Sequence, residues 1–171
     1  MTIARLLSAL ALLPFAAFAK APAAPPNPYI DRGACPFECC TYRVWTTNLP
    51  VSLLDKPAGK TVVAKVPTKT GVTGVTGEVH STPLRVVASH AFEGTPIKKG
   101  DVLFALHYAG EGFFTVWFKG KTYDVDFSEG AESSLPLDKT NQSWWVQIRT
   151  KDGKTGWVLD KNQFDNQDSC G

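Results

Sequence analysis

Beyond residue 20 no window of the chain shows uninterrupted helical periodicity. Pro or Gly falls in every candidate stretch, and short runs rich in Val, Thr, Phe, Tyr and Trp lie between these punctuating residues. The runs cover residues 42–47, 51–54, 61–66, 72–80, 84–89, 102–108, 113–119, 122–127, 144–149 and 155–159. Short strands bounded at regular spacing by turn residues predict a sandwich or barrel, so the expected fold class is all-β. Aromatic residues make up 11% of the sequence against a single Met, and bulky rings fit a pleated, half-buried surface better than a helix.

The run 144–149 shows the alternation most clearly, because side chains along a strand point to opposite faces with period two. Trp144, Val146 and Ile148 share one face and read as core. Trp145, Gln147 and Arg149 share the other, which reads as a partly exposed face carrying an aromatic. Lys151-Asp152-Gly153-Lys154 then supplies a hairpin turn, with Asp-Gly as the pair that tight turns favour, and the chain returns through Thr155-Gly156-Trp157-Val158.

The first nineteen residues, MTIARLLSALALLPFAAFA, place Arg5 ahead of an apolar run and end on small residues spaced as Ala17-Phe18-Ala19. This is the pattern of a secretory signal peptide, and the apolar stretch is shorter than the roughly 20 residues a membrane anchor needs. Lys20 rather than Cys follows the small residues, so no lipid anchor is expected. The mature chain is expected to be periplasmic or secreted, with no membrane anchor after cleavage. KAPAAPPNP, beginning at Lys20, is too rich in Pro and Ala to pack and reads as an extended tether, with residues 20–34 assigned to it.

The four cysteines are Cys35, Cys39, Cys40 and Cys170. An even number in an exported chain predicts disulfides, with Cys170 bonded to Cys39 or Cys40. Such a bridge closes nearly the whole folded chain, and removing that loop entropy from the unfolded state contributes on the order of 4 kcal/mol. A zinc site is not expected, because Cys39 and Cys40 are adjacent and no C-x-x-C pair exists.

SWWVQIRTKDGKTGWVLDKNQF resembles the C-terminal half of bacterial SH3-like (SH3b) domains, with their Trp-x-x-Val strand, Gly-Lys-x-Gly-Trp-Val hairpin and closing aromatic. The matching residues are Trp145 to Ile148, Gly153 to Val158, and Phe164. LPVSLLDKPAGKTVVAKVPTKTGVT is similar to the family's opening half. Between the halves lies a stretch, from about Gly74 to Gln142, that an ordinary SH3b domain lacks; within it Gly120-Lys121-Thr122 with Val125 mirrors Gly153-Lys154-Thr155 with Val158. Either two packed barrels, divided as 35–94 and 95–171, or one barrel with a large β insertion accounts for this, and the two-barrel division is preferred. The resemblance implies a binding module for cell-wall peptides or an envelope protein, with a ligand groove lined by Trp145, Trp157 and Phe164. The alternative function is a secreted inhibitor or accessory subunit of an envelope enzyme.

No enzyme activity, cofactor or metal is expected. Asp124 with Asp126, and Glu129 with Glu132, could do acid–base work but read as solvated strand-face and loop residues. His80, His90 and His107 lack metal-ligand spacing and stand apart in the sequence. Net charge is +2 with the basic residues scattered, so nucleic acid is not an expected partner. Intact mass of the purified chain before and after alkylation is expected to be identical; a gain of two or four alkyl groups would remove the disulfide framework.

Overall fold

The computed structural model of the chain describes residues 24–128, 130 and 142–170. The signal peptide, the start of the tether, Glu129 and Glu132 lie outside the described residues. The described residues contain no helix and form twelve strands: β1 (Tyr29–Arg32), β2 (Val44–Thr47), β3 (Val51–Leu54), β4 (Val62–Val66), β5 (Gly71–Ser81), β6 (Leu84–Val87), β7 (Val102–Gly110), β8 (Phe113–Phe118), β9 (Lys121–Asp126), β10 (Gln142–Arg149), β11 (Thr155–Leu159) and β12 (Phe164–Asp165). The fold is all-β, as expected, and every run read from the sequence is a strand.

β1 and β12 have no counterpart in the sequence reading. Residues 29–32, assigned to the tether, pair antiparallel with β5 from Tyr29 opposite Ser81 to Arg32 opposite Glu78. Four residues between Pro28 and Gly33 are too few to display an alternation; their strand conformation comes from the sheet edge they join.

The strands make two antiparallel sheets. The first has eight strands in the order β12-β2-β5-β10-β11-β3-β4, with β1 added beside β5. It curls into a half-barrel, and β5 is its hinge: residues 71–73 pair with β2 on one side, residues 78–81 with β1 on the same side, and β10 runs along the other side. Gln147 lies opposite Thr76 and Ile148 opposite Gly74, so Val75 is left over as a bulge. Burial follows: Val72 and Gly74 face inward before it, and Gly77, Val79 and Ser81 after it. An extra residue of this kind bends a strand and raises its twist.

The second sheet is an open meander, β6-β7-β8-β9, inserted between β5 and β10. Its core is Phe92, Ile97, Leu103, Val116, Phe118, Val125 and Phe127 with smaller neighbours, separate from the first core. The arrangement is one curled sheet with an inserted unit. The expected division at 94/95 does not follow the sheets, since β6 and β7 pair across it and the first sheet draws strands from both sides. Sequence order could not show this, because β5 and β10 become neighbours through a long-range pairing. The insert is tied down by the buried His107, whose Nε2 lies 2.9 Å from Asp31 Oδ2 on β1 and whose Nδ1 lies 3.0 Å from the Tyr108 carbonyl oxygen. The Tyr108 N–H also donates to Gln142 Oε1 at 3.0 Å, and the Tyr29 and Trp117 rings meet edge to face.

The first core is built on Trp45, which is fully buried and has ring neighbours in Tyr42, Trp144 and Phe164 at 5.8, 6.2 and 5.5 Å. Glycines on β5 make this packing possible. A Cβ at Gly74 would lie 2.7 Å from the Trp45 ring, and one at Gly77 would collide with the Tyr42 hydroxyl, Trp144 Nε1 and the Ala34 carbonyl. That carbonyl accepts hydrogen bonds from Tyr42 Oη (2.5 Å) and Trp144 Nε1 (3.2 Å), which fixes the start of the cysteine loop against the core.

Both disulfides are formed, Cys35–Cys40 and Cys39–Cys170, with Cα atoms 5.5 and 5.6 Å apart. They belong to an oxidising, non-cytoplasmic environment. The C-terminal segment runs beside the cysteine loop, with the Thr41 N–H donating to the Gln167 carbonyl and the Ser169 N–H to the Cys39 carbonyl, both at 2.9 Å. Gly77→Ala is expected to destabilise the fold by about 1–3 kcal/mol through overpacking, read as a lower urea midpoint. Gly71→Ala, whose nearest atom beyond the chain neighbours is the flexible Lys151 Cε at 3.6 Å, serves as the near-neutral comparison.

Candidate functional site

The outer face of the first sheet carries two of the three aromatics expected to form a groove. In the β10–β11 ladder Trp145 is opposite Leu159 and Gln147 is opposite Trp157. Trp145 and Trp157 therefore occupy diagonal positions on one face, about 7–8 Å apart by general sheet geometry, and both are half-buried. Phe164 does not join them. It is 5% exposed and packs on Trp45 in the core, because the direction of a two-residue strand is set by its partner, β2, and not by its own alternation.

Polar neighbours complete that face. Ser143, Trp145 and Gln147 lie opposite His80, Glu78 and Thr76 on β5, and Glu78 lies opposite Arg32 on β1. His80 Nε2 is 2.8 Å from Glu78 Oε2, Arg32 Nε is 3.4 Å from Glu78 Oε1, and the His80 ring centroid is 6.5 Å from that of Trp145. The Arg32 side chain is 73% exposed, so its pairing adds little stability; it sets a cation across Glu78 from the tryptophan, while the His80 imidazole lies beside the ring.

A cleft of about 630 Å³ opens at the end of the β10–β11 ladder. One wall is Pro36 and Phe37, in the loop closed by Cys35–Cys40; another is residues 166–168, held there by Cys39–Cys170. Trp144 and Phe164 form its apolar part, with Phe37 meeting Trp144 edge to face at 5.6 Å. The disulfides thus do more than join the chain ends: they position both walls of this cavity. Ser143 and Leu159 line the cleft and also stand on the outer face beside Trp145, so the two surfaces are continuous.

Asp160 borders the cleft. Its N–H donates to the Trp144 carbonyl at 2.8 Å, and its Oδ2 accepts from Gln167 Nε2 at 3.3 Å. Its Oδ1 is buried with no hydrogen-bond partner. Burial raises the carboxyl pKa, opposed in part by the Gln167 side chain and the N–H groups of Gln163, Asn162 and Lys161. The sequence holds a signal for this residue: Gly156 and Val158 fall on the inward side of β11, and Asp160, the residue after the strand, continues their period-two alternation. Its partners come from sequence-distant segments and carry no such signal.

The other titratable candidates are dispersed. His80 and His107, which stand apart in the sequence, each meet a carboxylate in the fold, whereas Ser89 Oγ lies 3.0 Å from His90 Nδ1. Asp124 accepts from Thr115 Oγ1 at 2.7 Å, and the exposed Asp126 is lowered in pKa by hydrogen bonds from Ser128. Glu38, Cys39 and Cys170 are the one group of three potential metal ligands found among the described residues, but both sulfurs are committed to a disulfide.

A carboxyl whose folded pKa is raised contributes stability below its unfolded pKa of about 3.9 and loses it as pH rises through the folded value. Asp160→Asn is therefore expected to melt at a higher temperature than the unaltered chain at pH 7, with the two converging at pH 3. Thermal melts at both pH values check this.

Compared with known protein families, curated proteins and solved structures, the chain matches none.

Proposed function

We propose that the chain is an exported SH3-like binding module whose outer Trp145–Trp157 face takes peptides of the cell wall. The observation that carries the reading is the placement of these two half-buried tryptophans on one face of adjacent strands, beside the Arg32–Glu78–His80 cluster. Partly exposed aromatics with rigid rings are the usual anchors of a binding surface, and the neighbouring charged and amide groups supply direction.

The strand arrangement supports the SH3-like part of the reading. The segment resembling the family's second half forms β10 and β11, joined by a tight turn in which the Thr150 N–H donates to the Lys154 carbonyl at 2.9 Å. The segment resembling its first half forms the β3–β4 hairpin, which pairs onto β11 through Leu54 and Trp157. The meander fills the interruption between them. The resemblance of residues 1–19 to a signal peptide and the two disulfides support a periplasmic or secreted location.

Retention on purified, insoluble peptidoglycan tests the proposal. The disulfide-intact chain is expected to be retained, and Trp145→Ala with Trp157→Ala is expected to weaken retention roughly tenfold or more, the scale of losing buried aromatic anchors. No retention, or equal retention of the double variant with an unchanged circular dichroism spectrum, would overturn it. Retention on one envelope protein with indifference to peptidoglycan would favour the inhibitor or accessory-subunit reading.

A further inference from the structure

We propose that the cleft between the cysteine loop and the C-terminal segment is a seat for a primary ammonium group carried by a peptide, with Asp160 as its counter-ion. The inference takes from the proposed function only that the ligand is a peptide.

The first observation is an incompletely satisfied anion at the edge of an apolar cavity. Among the described residues no basic group forms an ion pair with the Asp160 carboxylate, and Lys161, next in sequence, is exposed. Oδ1 has no hydrogen-bond partner and Oδ2 has one long bond from Gln167, while the N–H groups of Lys161, Asn162 and Gln163 near the carboxyl offset only part of the cost of burial. A partly buried acceptor left in this state is costly, and burial has already disfavoured its ionised form. A ligand cation brought beside it, with Trp144 and Phe37 excluding water, meets a stronger field than it would at an open surface.

The second observation selects the kind of cation. Oδ1 is buried, so a ligand meets the carboxyl at Oδ2 alone, which already accepts from Gln167. A guanidinium fork needs two oxygens side by side, whereas an ammonium is a compact charge with three rotatable donors and needs one. The geometry favours a lysine-like amine over arginine.

The third observation concerns the rest of the ligand. Gln142, Asn162, Asn166 and Gln167 are among the residues lining the cleft, and carboxamides can both donate to and accept from peptide amides; Gln142 Oε1 and Gln167 Nε2 are already bonded within the fold. The cleft also runs into the outer face through Ser143 and Leu159. A peptide lying across Trp145 can therefore extend past Leu159 and set an amine-bearing side chain against Asp160.

The test is a titration of the ¹⁵N-labelled, disulfide-intact chain with the capped tripeptide N-acetyl-Ala-Lys-Ala-amide, followed by NMR up to millimolar peptide. Saturable shifts of the Trp144 indole N–H and the Gln167 carboxamide are expected. They should weaken at least tenfold when the lysine is Nε-acetylated or when the chain carries Asp160→Asn, and an arginine peptide should bind more weakly than the lysine one. Absence of saturable shifts at these groups, equal binding of the acetylated peptide, or full affinity in a folded Asp160→Asn chain would each overturn the inference. Its failure is separable from that of the proposed function. Peptidoglycan retention that needs Trp145 and Trp157 but ignores Asp160→Asn leaves the binding module and removes the ammonium seat. Lysine-peptide binding that needs Asp160, without retention on peptidoglycan, does the reverse.

Discussion

The close approach of two tryptophan rings to the backbone of β5 is the contact on which the first sheet depends. Trp45 lies over Gly74 and Trp144 over Gly77, at distances no residue with a Cβ would allow. Glycine inside a strand costs about 0.5–1 kcal/mol in backbone entropy, whereas losing a buried ring of this size costs about 3–5 kcal/mol, so the exchange favours the fold. Its effect extends beyond the core. Because Trp144 sits so low on β5, its indole N–H reaches the Ala34 carbonyl, and that bond carries the cysteine loop onto the end of the sheet. The loop's Phe37 then becomes a wall of the cleft.

The strands were legible because each depends on its own residues. Alternation in 144–149 and the Asp152-Gly153 turn identify β10, β11 and their facing, and from these follow the core position of Trp144 and the shared outer face of Trp145 and Trp157. What could not be read depends on partners far away in sequence. β1 exists because β5 offers it an edge, Phe164 turns inward because β12 pairs with β2, and the meander is an insert because β5 and β10 pair around it. The cysteine count implied two bridges but left the choice between Cys39 and Cys40; the fold decides it by laying the C-terminal segment against the Cys39 carbonyl.

The two surfaces proposed for binding differ in how they are made. The tryptophan face belongs to regular strands and is as rigid as the ladder beneath it. The cleft is assembled at the ladder's end from a disulfide-closed loop, a turn and the last residues of the chain, and its carboxylate reduces stability at neutral pH. Buried groups that oppose folding cluster where a protein binds or reacts, and Asp160 is the clearest such group among the described residues.

The register that sets Gln142 opposite Ser81 has a kinetic meaning. The meander's strands join sequence neighbours, so its contacts are local and form early, while the β5–β10 ladder must wait for the closure of a long loop. With the meander folded, residues 84–126 move as one unit, so fewer free residues separate Ser81 from Gln142 than the sequence distance implies. An insert that looks like an interruption of the sheet thus serves as a splint, holding the two central strands at the point where their pairing starts.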